Sequence, residues 1–215
     1  MARAKLPRKS TTIDMTAMCD VAFLLLSFFI LATKFKPEET IVIETPNSVA
    51  NEVAPSANVV LITIDKEGKV FYSVSSDSPK REVIESMNEI RGLGLTDAEM
   101  ESFVNAEFVG VPISKLKAFL NLTPEQQKLQ REGIPVTDTL NNELSVWMLA
   151  TFNAFKGKKM NLLLKGDNSS KYASFKGVIA AFKKNDMMKF QMVTNPVNVP
   201  PGSELYKKNM MRVKG

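Results

Sequence analysis

Residues 15–33 read MTAMCDVAFLLLSFFILAT, nineteen positions with a single charge, Asp20. From 21 to 32 only Ser27 interrupts the apolar side chains. Nineteen helical residues rise about 28 Å at ~1.5 Å each, close to the hydrocarbon thickness of a bilayer. Upstream, residues 1–12 hold Arg3, Lys5, Arg8 and Lys9 and no acid; downstream, Lys34 and Lys36 close the run. The pattern predicts a transmembrane helix over 13–34 with residues 1–12 in the cytoplasm, because basic flanks stay on the cytoplasmic side. A cleaved signal peptide is the rival reading, since it shares a basic start and an apolar core of about 7–15 residues. Against it, the run leaves as Leu31-Ala32-Thr33-Lys34 with no A-x-A site, and a signal core has no use for an acid at its start. Cys19 precedes the apolar run and follows bulky Met18, which does not fit a lipoprotein.

Composition narrows the chemistry. The 215 residues carry 28 Lys plus Arg against 23 Asp plus Glu, for a net charge of +5. Apolar residues make up 44% and charged ones 24%, an ordinary globular mixture that excludes disorder of the whole chain. Histidine is absent, which removes Ser-His-Asp and Cys-His nucleophile systems and His-ligated metals. One cysteine, Cys19, permits neither an intrachain disulfide nor a cysteine-based zinc site. No phosphate loop, G-x-G-x-x-G or G-x-S-x-G pattern occurs. We expect no enzyme, no cofactor and no bound metal. The mild charge argues against nucleic-acid binding.

Asp20 is the most informative residue. An acid in a membrane-spanning helix costs about 2.5–3.5 kcal/mol at mid-depth, and somewhat less five residues into the span. Its helix-surface neighbours at i−4, i+3, i+4 and i+7 are Thr16, Phe23, Leu24 and Ser27. Thr16, Asp20 and Ser27 thus form a narrow polar stripe on a greasy helix. Such a stripe faces protein or a water-filled path. It serves either as a helix-packing seam or as a proton path, and a carboxyl in low dielectric holds its proton toward neutral pH. Asp14 is a possible second titratable group.

The stretch IDMTAMCDVAFLLLSFFI, residues 13–30, resembles the ExbD/TolR family of biopolymer transport proteins, whose helix commonly reads I-D-M-T-P-M-I-D-V-x-F-L-L-L-x-F-F. The resemblance puts Asp20 on the family's proton-carrying aspartate; on the proton-path reading of the stripe, Thr16 and Ser27 line that path. Ala17 and Cys19 replace the family's usual Pro and Val or Ile. It also implies two copies of this subunit, a homodimer, inside a ring of a polytopic ExbB/TolQ-like membrane protein, and a TonB-like partner spanning the periplasm. By the same analogy, Ile41, Val42, Ile43 and Pro46 sit where family members carry a short partner-binding strand just past the membrane.

The remaining residues are readable on their own. Residues 35–58 read as a periplasmic linker with one strand-like piece, Ile41–Glu44. Val59–Ile64 and Val70–Val74 flank a Gly-containing turn and predict a hairpin. Pro79 opens a helix to Arg91 with Val83, Met87 and Ile90 on its buried face; Gly92 and Gly94 end it. Thr96-Asp97-Ala98-Glu99 is a capping box, and Thr123-Pro124-Glu125-Gln126 is another helix start. Pro112 is expected at the first helical position before Ile113–Leu120. A helix over 142–155 buries Leu144, Trp147, Met148, Thr151 and Phe155, with Gly157 as its stop. Met160–Lys165 is a buried strand, Tyr172–Lys184 a helix with Phe175, Val178, Ile179 and Phe182 inward, and Lys189–Thr194 a last strand. Residues 196–215 read as a flexible basic tail.

The expected class is α+β: a single N-terminal transmembrane helix, then a small mixed β-sheet domain packed on helices over 59–195. Residues 92–141 have no counterpart in short family members and read as a helical insertion. Two function classes follow. One is an inner-membrane subunit of a proton-driven ExbB-ExbD-TonB type complex powering outer-membrane transport, or a TolR-like or MotB-like envelope or stator subunit. The other is a passive membrane-anchored periplasmic binding module.

Overall fold

The computed structural model describes residues 15–32, 41–49, 55, 57–138, 141–199, 201–204 and 206. The chain forms two compact units, one up to Glu39 and one from Thr40 onward. The first contributes helix α1, Met15–Ala32.

The second unit begins with a two-residue strand, β1 (Asn47–Ser48), and then the predicted hairpin β2 (Val59–Ile64) and β3 (Val70–Val74). The turn between them is built from its own chemistry. Asp65 Oδ1 accepts the Lys69 backbone N–H at 2.7 Å, and Gly68 takes φ +85°. That left-handed conformation suits glycine. Helix α2 follows over Asp77–Arg91 and ends where Gly92, at φ 58°, returns its N–H to the Asn88 carbonyl. It starts two residues earlier than expected, because Pro79 is tolerated in a first turn whose N–H groups have no intrahelical partner.

Residues 92–141 contain α3 (Asp97–Asn105), α4 (Ile113–Leu120) and α5 (Pro124–Leu129). Both capping boxes form, Thr96 with Glu99 and Thr123 with Gln126. Pro112 stands one place earlier than expected, at the cap of α4. There Glu143 Oε2 accepts the Ile113 N–H at 2.7 Å, so a distant carboxylate satisfies the helix start. The chain continues with α6 (Leu144–Ala154), β4 (Asn161–Gly166), α7 (Tyr172–Lys184), β5 (Gln191–Val193) and β6 (Asn195–Pro196).

The main sheet has the order β3-β2-β4-β5, antiparallel between β2 and β3 and parallel elsewhere. Parallel strands need a crossover. Between β4 and β5 that crossover is α7; between β2 and β4 it is everything from β3 to α6. Residues 92–141 are therefore part of the crossover and share its core. Phe103 stacks on Trp147 at 5.8 Å, and Trp147 stacks on Tyr72 at 5.1 Å. Leu116, Phe119, Leu120, Ile134 and Val136 join the same buried cluster as Ile62, Leu164 and Phe182.

The same residues close one edge of the sheet. Tyr72 and Val109 exchange both backbone hydrogen bonds, at 2.8 and 2.7 Å, and the Ile134 N–H donates to the Val70 carbonyl at 2.8 Å. Gly110 allows this approach: a Cβ there would collide with the Phe71 ring, itself packed edge-on against Phe108. Two polar clamps hold the helices over the core. Lys80 Nζ donates to the Val104 and Ala106 carbonyls at the end of α3, and burial lowers the Lys80 pKa. Tyr72 Oη and Thr151 Oγ1 lie 2.7 Å apart in the interior, where burial raises the Tyr72 pKa.

Of the expected inward faces, Val83, Met87, Leu144, Trp147, Met148, Thr151, Phe155, Val178 and Phe182 are buried. Ile90 is not; it is 38% exposed, and Ile84 takes the interior position. Positions 79, 83, 84 and 87 form the buried face of α2, and Ile90 lies in the last turn before Gly92.

Two outcomes check this account. Gly110→Ala will lower stability by about 1–3 kcal/mol through overpacking against Phe71, read as a shift in the urea midpoint. Glu99 accepts from the Thr96 N–H at 2.8 Å and from Asn121 Nδ2 at 2.9 Å. These bonds, the Thr96 one foremost, hold its pKa below the ordinary 4.5. A depressed folded-state value stabilises above the unfolded value, and the gain is lost as pH falls through the folded one. Acid titration of the urea midpoint will show that loss below about pH 4.5, and Glu99→Gln will flatten it.

Candidate functional site

Helix α1 holds the sequence-predicted residues Thr16, Asp20 and Ser27. At about 100° per residue they fall within a sector of roughly 40°. Asp20 is the one charged side chain of the helix. Ser27 turns its hydroxyl inward, Oγ donating to the Leu24 carbonyl at 2.9 Å, the back-bonding by which a hydroxyl hides in an apolar helix. A carboxylate has no such route, since every backbone N–H beyond the first turn is already used. Asp20 is exposed, as are its neighbours Phe23 and Leu24.

No residue of α1 is buried, and the helix is long and apolar enough to cross a membrane. Met15, Met18, Val21 and Leu24 through Leu26 are all more than half exposed, and so are Phe28 to Leu31. In water that surface is far larger than a monomer tolerates. Asp14, Lys34 and Lys36 lie outside the described residues, as do residues 1–12.

The linker residues are placed by a different physics. From 41 to 45 burial alternates: Ile41 and Ile43 half-buried, Val42 84% exposed, Glu44 exposed, Thr45 buried. The Glu44 N–H donates to Asp167 Oδ2 at 3.1 Å and its carbonyl accepts from the Asn168 N–H at 2.8 Å. The Thr45 carbonyl accepts from Asn195 Nδ2 at 3.0 Å, and the Pro46 and Ser48 carbonyls accept from the N–H groups of Asn195 and Val197. The strand expected at Ile41–Glu44 is thus displaced to β1, Asn47–Ser48, paired in parallel with β6. A side-chain carboxylate captures the Glu44 N–H, and Pro46 has none to give, so a ladder starts only beyond Pro46.

This pairing also continues the ordered chain past residue 195. The last β-strand of the main sheet is shorter than expected, Gln191–Val193. Asp167 and Asn195, which tie down the linker, were missed from sequence. Asp167 carries a turn signal, its Oδ1 accepting the Ser169 N–H at 2.8 Å. Its bond to Glu44, 123 positions away, leaves no local trace.

Among the described residues no group of three or more Cys, Asp or Glu converges as a metal site would require. The carboxylates of the outer domain serve structure: Arg81 joins Glu85, Asp97 and Glu101 at 2.8–3.5 Å and so ties α2 to α3.

No curated protein and no solved structure matches the chain. A protein family does: the family described as biopolymer transport protein ExbD/TolR matches residues 7–197, spanning α1, the linker and the outer domain through β6. Among the described residues one helix is long and apolar enough to span a membrane, and with this family it describes a single-pass inner-membrane protein, an energy-transducing subunit of biopolymer transport. By that match over nearly its whole length, with Asp20 set in the apolar helix, the chain belongs to the ExbD/TolR family.

Proposed function

We propose that the protein is the proton-carrying subunit of an ExbB-ExbD-TonB type complex that powers outer-membrane transport, with Asp20 as the carrier. The observation that supports this most is a carboxyl that is the one charged side chain of an otherwise apolar α1, with Thr16 and Ser27 in its sector. Lipid does not solvate such a group. A neighbouring helix or a water-filled path does, and both come from an ExbB/TolQ-like ring enclosing two copies of this helix.

In that setting the carboxyl cycles between a neutral form, which crosses low dielectric at little cost, and an ionised form, which requires polar company. Taking up a proton from one side and releasing it to the other couples the membrane potential to helix movement. One elementary charge crossing 100 mV releases about 2.3 kcal/mol, before any pH difference is added. The basic residues Arg3, Lys5, Arg8 and Lys9 favour a cytoplasmic N-terminus, which sets the outer domain in the periplasm, where a TonB-like partner receives the motion. The outer domain acts as a transmitter and carries out no chemistry of its own.

Asp20→Asn keeps shape and removes the proton. In cells lacking the native chain it will leave membrane insertion and co-purification with the ring protein unchanged while abolishing energy-dependent uptake. Asp20→Glu will restore part of the uptake. Full uptake with Asp20→Asn would instead make α1 a passive anchor.

A further inference from the structure

Helix α7 turns one side to the core and leaves the other bare. Ser174, Val178, Ala181 and Phe182 are buried. The exposed residues fall together. At about 100° per residue, Tyr172, Lys183, Lys176, Ala180, Ala173 and Lys184 follow one another around roughly 120° of the helix surface. Lys171 stands just before the first turn, and Met188 and Lys189, both exposed, come soon after the last.

This bare side is basic and unanswered. Helix α7 contains no acid, and Asp186 is the one acid from residue 168 to 203. Among the described residues no carboxylate pairs with Lys171, Lys176, Lys183, Lys184 or Lys189. Over α2–α5 the opposite holds: Arg81, Lys115, Lys117 and Lys128 each meet a carboxylate at 2.7–3.8 Å. Ala173 and Ala180 keep the α7 surface low between the long side chains, so the lysine heads reach a flat partner together. Tyr172, 77% exposed, is an amphipathic ring of the kind that settles at headgroup depth. The complement of such a face is a flat anionic surface.

One surface of that kind is held to the domain by the chain itself. Eight residues, 33–40, separate the end of α1 from Ile41, so the domain stays tethered to the bilayer that α1 spans. A tether makes a weak surface contact effectively intramolecular. We propose that α7 docks through Lys176, Lys183 and Lys184, with Tyr172, on the anionic phospholipid headgroups of the membrane that anchors the chain. Each lysine near such a surface favours the docked form roughly fivefold, and salt weakens the attraction. The contact is weak per residue and reversible, which suits a domain that passes on movement.

The full-length chain in lipid nanodiscs tests this. In a Cys19→Ser background, Ala180→Cys carries an environment-sensitive dye, and a fraction of the disc lipids carry a headgroup nitroxide. With about 30% phosphatidylglycerol in phosphatidylcholine, the dye will be quenched at least about fivefold more than in phosphatidylcholine alone. The same dye at Glu89→Cys, on the exposed side of α2, will show no such difference. Raising salt from about 50 to 500 mM will remove the difference at position 180. Lys176→Gln, Lys183→Gln and Lys184→Gln together will lower the docked-to-free ratio by on the order of 100-fold, and the three corresponding changes to Arg will preserve it. Equal quenching in the two lipids overturns the inference, as does quenching indifferent to the glutamine changes. An effect of phosphatidylglycerol at position 89 as large as at 180 overturns it in favour of a general attraction of the whole domain. Shielding of the dye that ignores phosphatidylglycerol and grows with the number of copies per disc overturns it in favour of a second copy. An emission shift produced by isolated cell-wall polymer, and not by phosphatidylglycerol, overturns it in favour of the wall.

Discussion

A carboxyl group needs either water or hydrogen-bonding company, and helix α1 supplies Asp20 with neither. The helix uses its own backbone donors internally, and Ser27 spends its hydroxyl on the Leu24 carbonyl. Within a bilayer such a carboxyl is stabilised by polar neighbours or by water, and lipid supplies neither. Lipid tolerates the apolar side chains around it, so the requirement falls on one residue and its narrow sector.

The outer domain solves a different problem. A four-stranded sheet with two parallel pairs leaves two edges, and an edge offers unpaired backbone groups to any passing strand. Residues 92–141 close the β3 edge, with Val109 and Ile134 bonded to Tyr72 and Val70. This coverage depends on Gly110, where the Phe71 ring lies against bare backbone. The stretch that looked like an addition to a small domain is bound into the central core through Phe103 and Trp147. The β5 edge is short, and the chain leaves it at once to pair with the linker through β6.

Much of this was legible because it rests on local chemistry. Capping boxes at Thr96 and Thr123 formed as read, since Ser/Thr-x-x-Glu/Gln satisfies orphan N–H groups with side chains three residues away. Helix α7 begins and ends where its apolar spacing said, and Gly92 ends α2 because only a left-handed residue turns the chain there. What failed to show was long-range. The linker strand was placed at Ile41–Glu44, where the residues are β-formers. Its actual position depends on Asp167 and Asn195, which lie more than a hundred residues downstream. Ile90 fitted the inward face by spacing, but the core had already been filled by Ile84 and Met87.

The amino-acid order alone determined the apolar helix, its isolated acid and the local starts and stops of the outer helices, because hydropathy, charge and capping act over four residues or fewer. Only the tertiary structure decided which edge of the sheet is covered, where the linker is tied and which helix face is left bare. Those outcomes depend on backbone groups of distant segments finding one another, and backbone groups are the same in every residue.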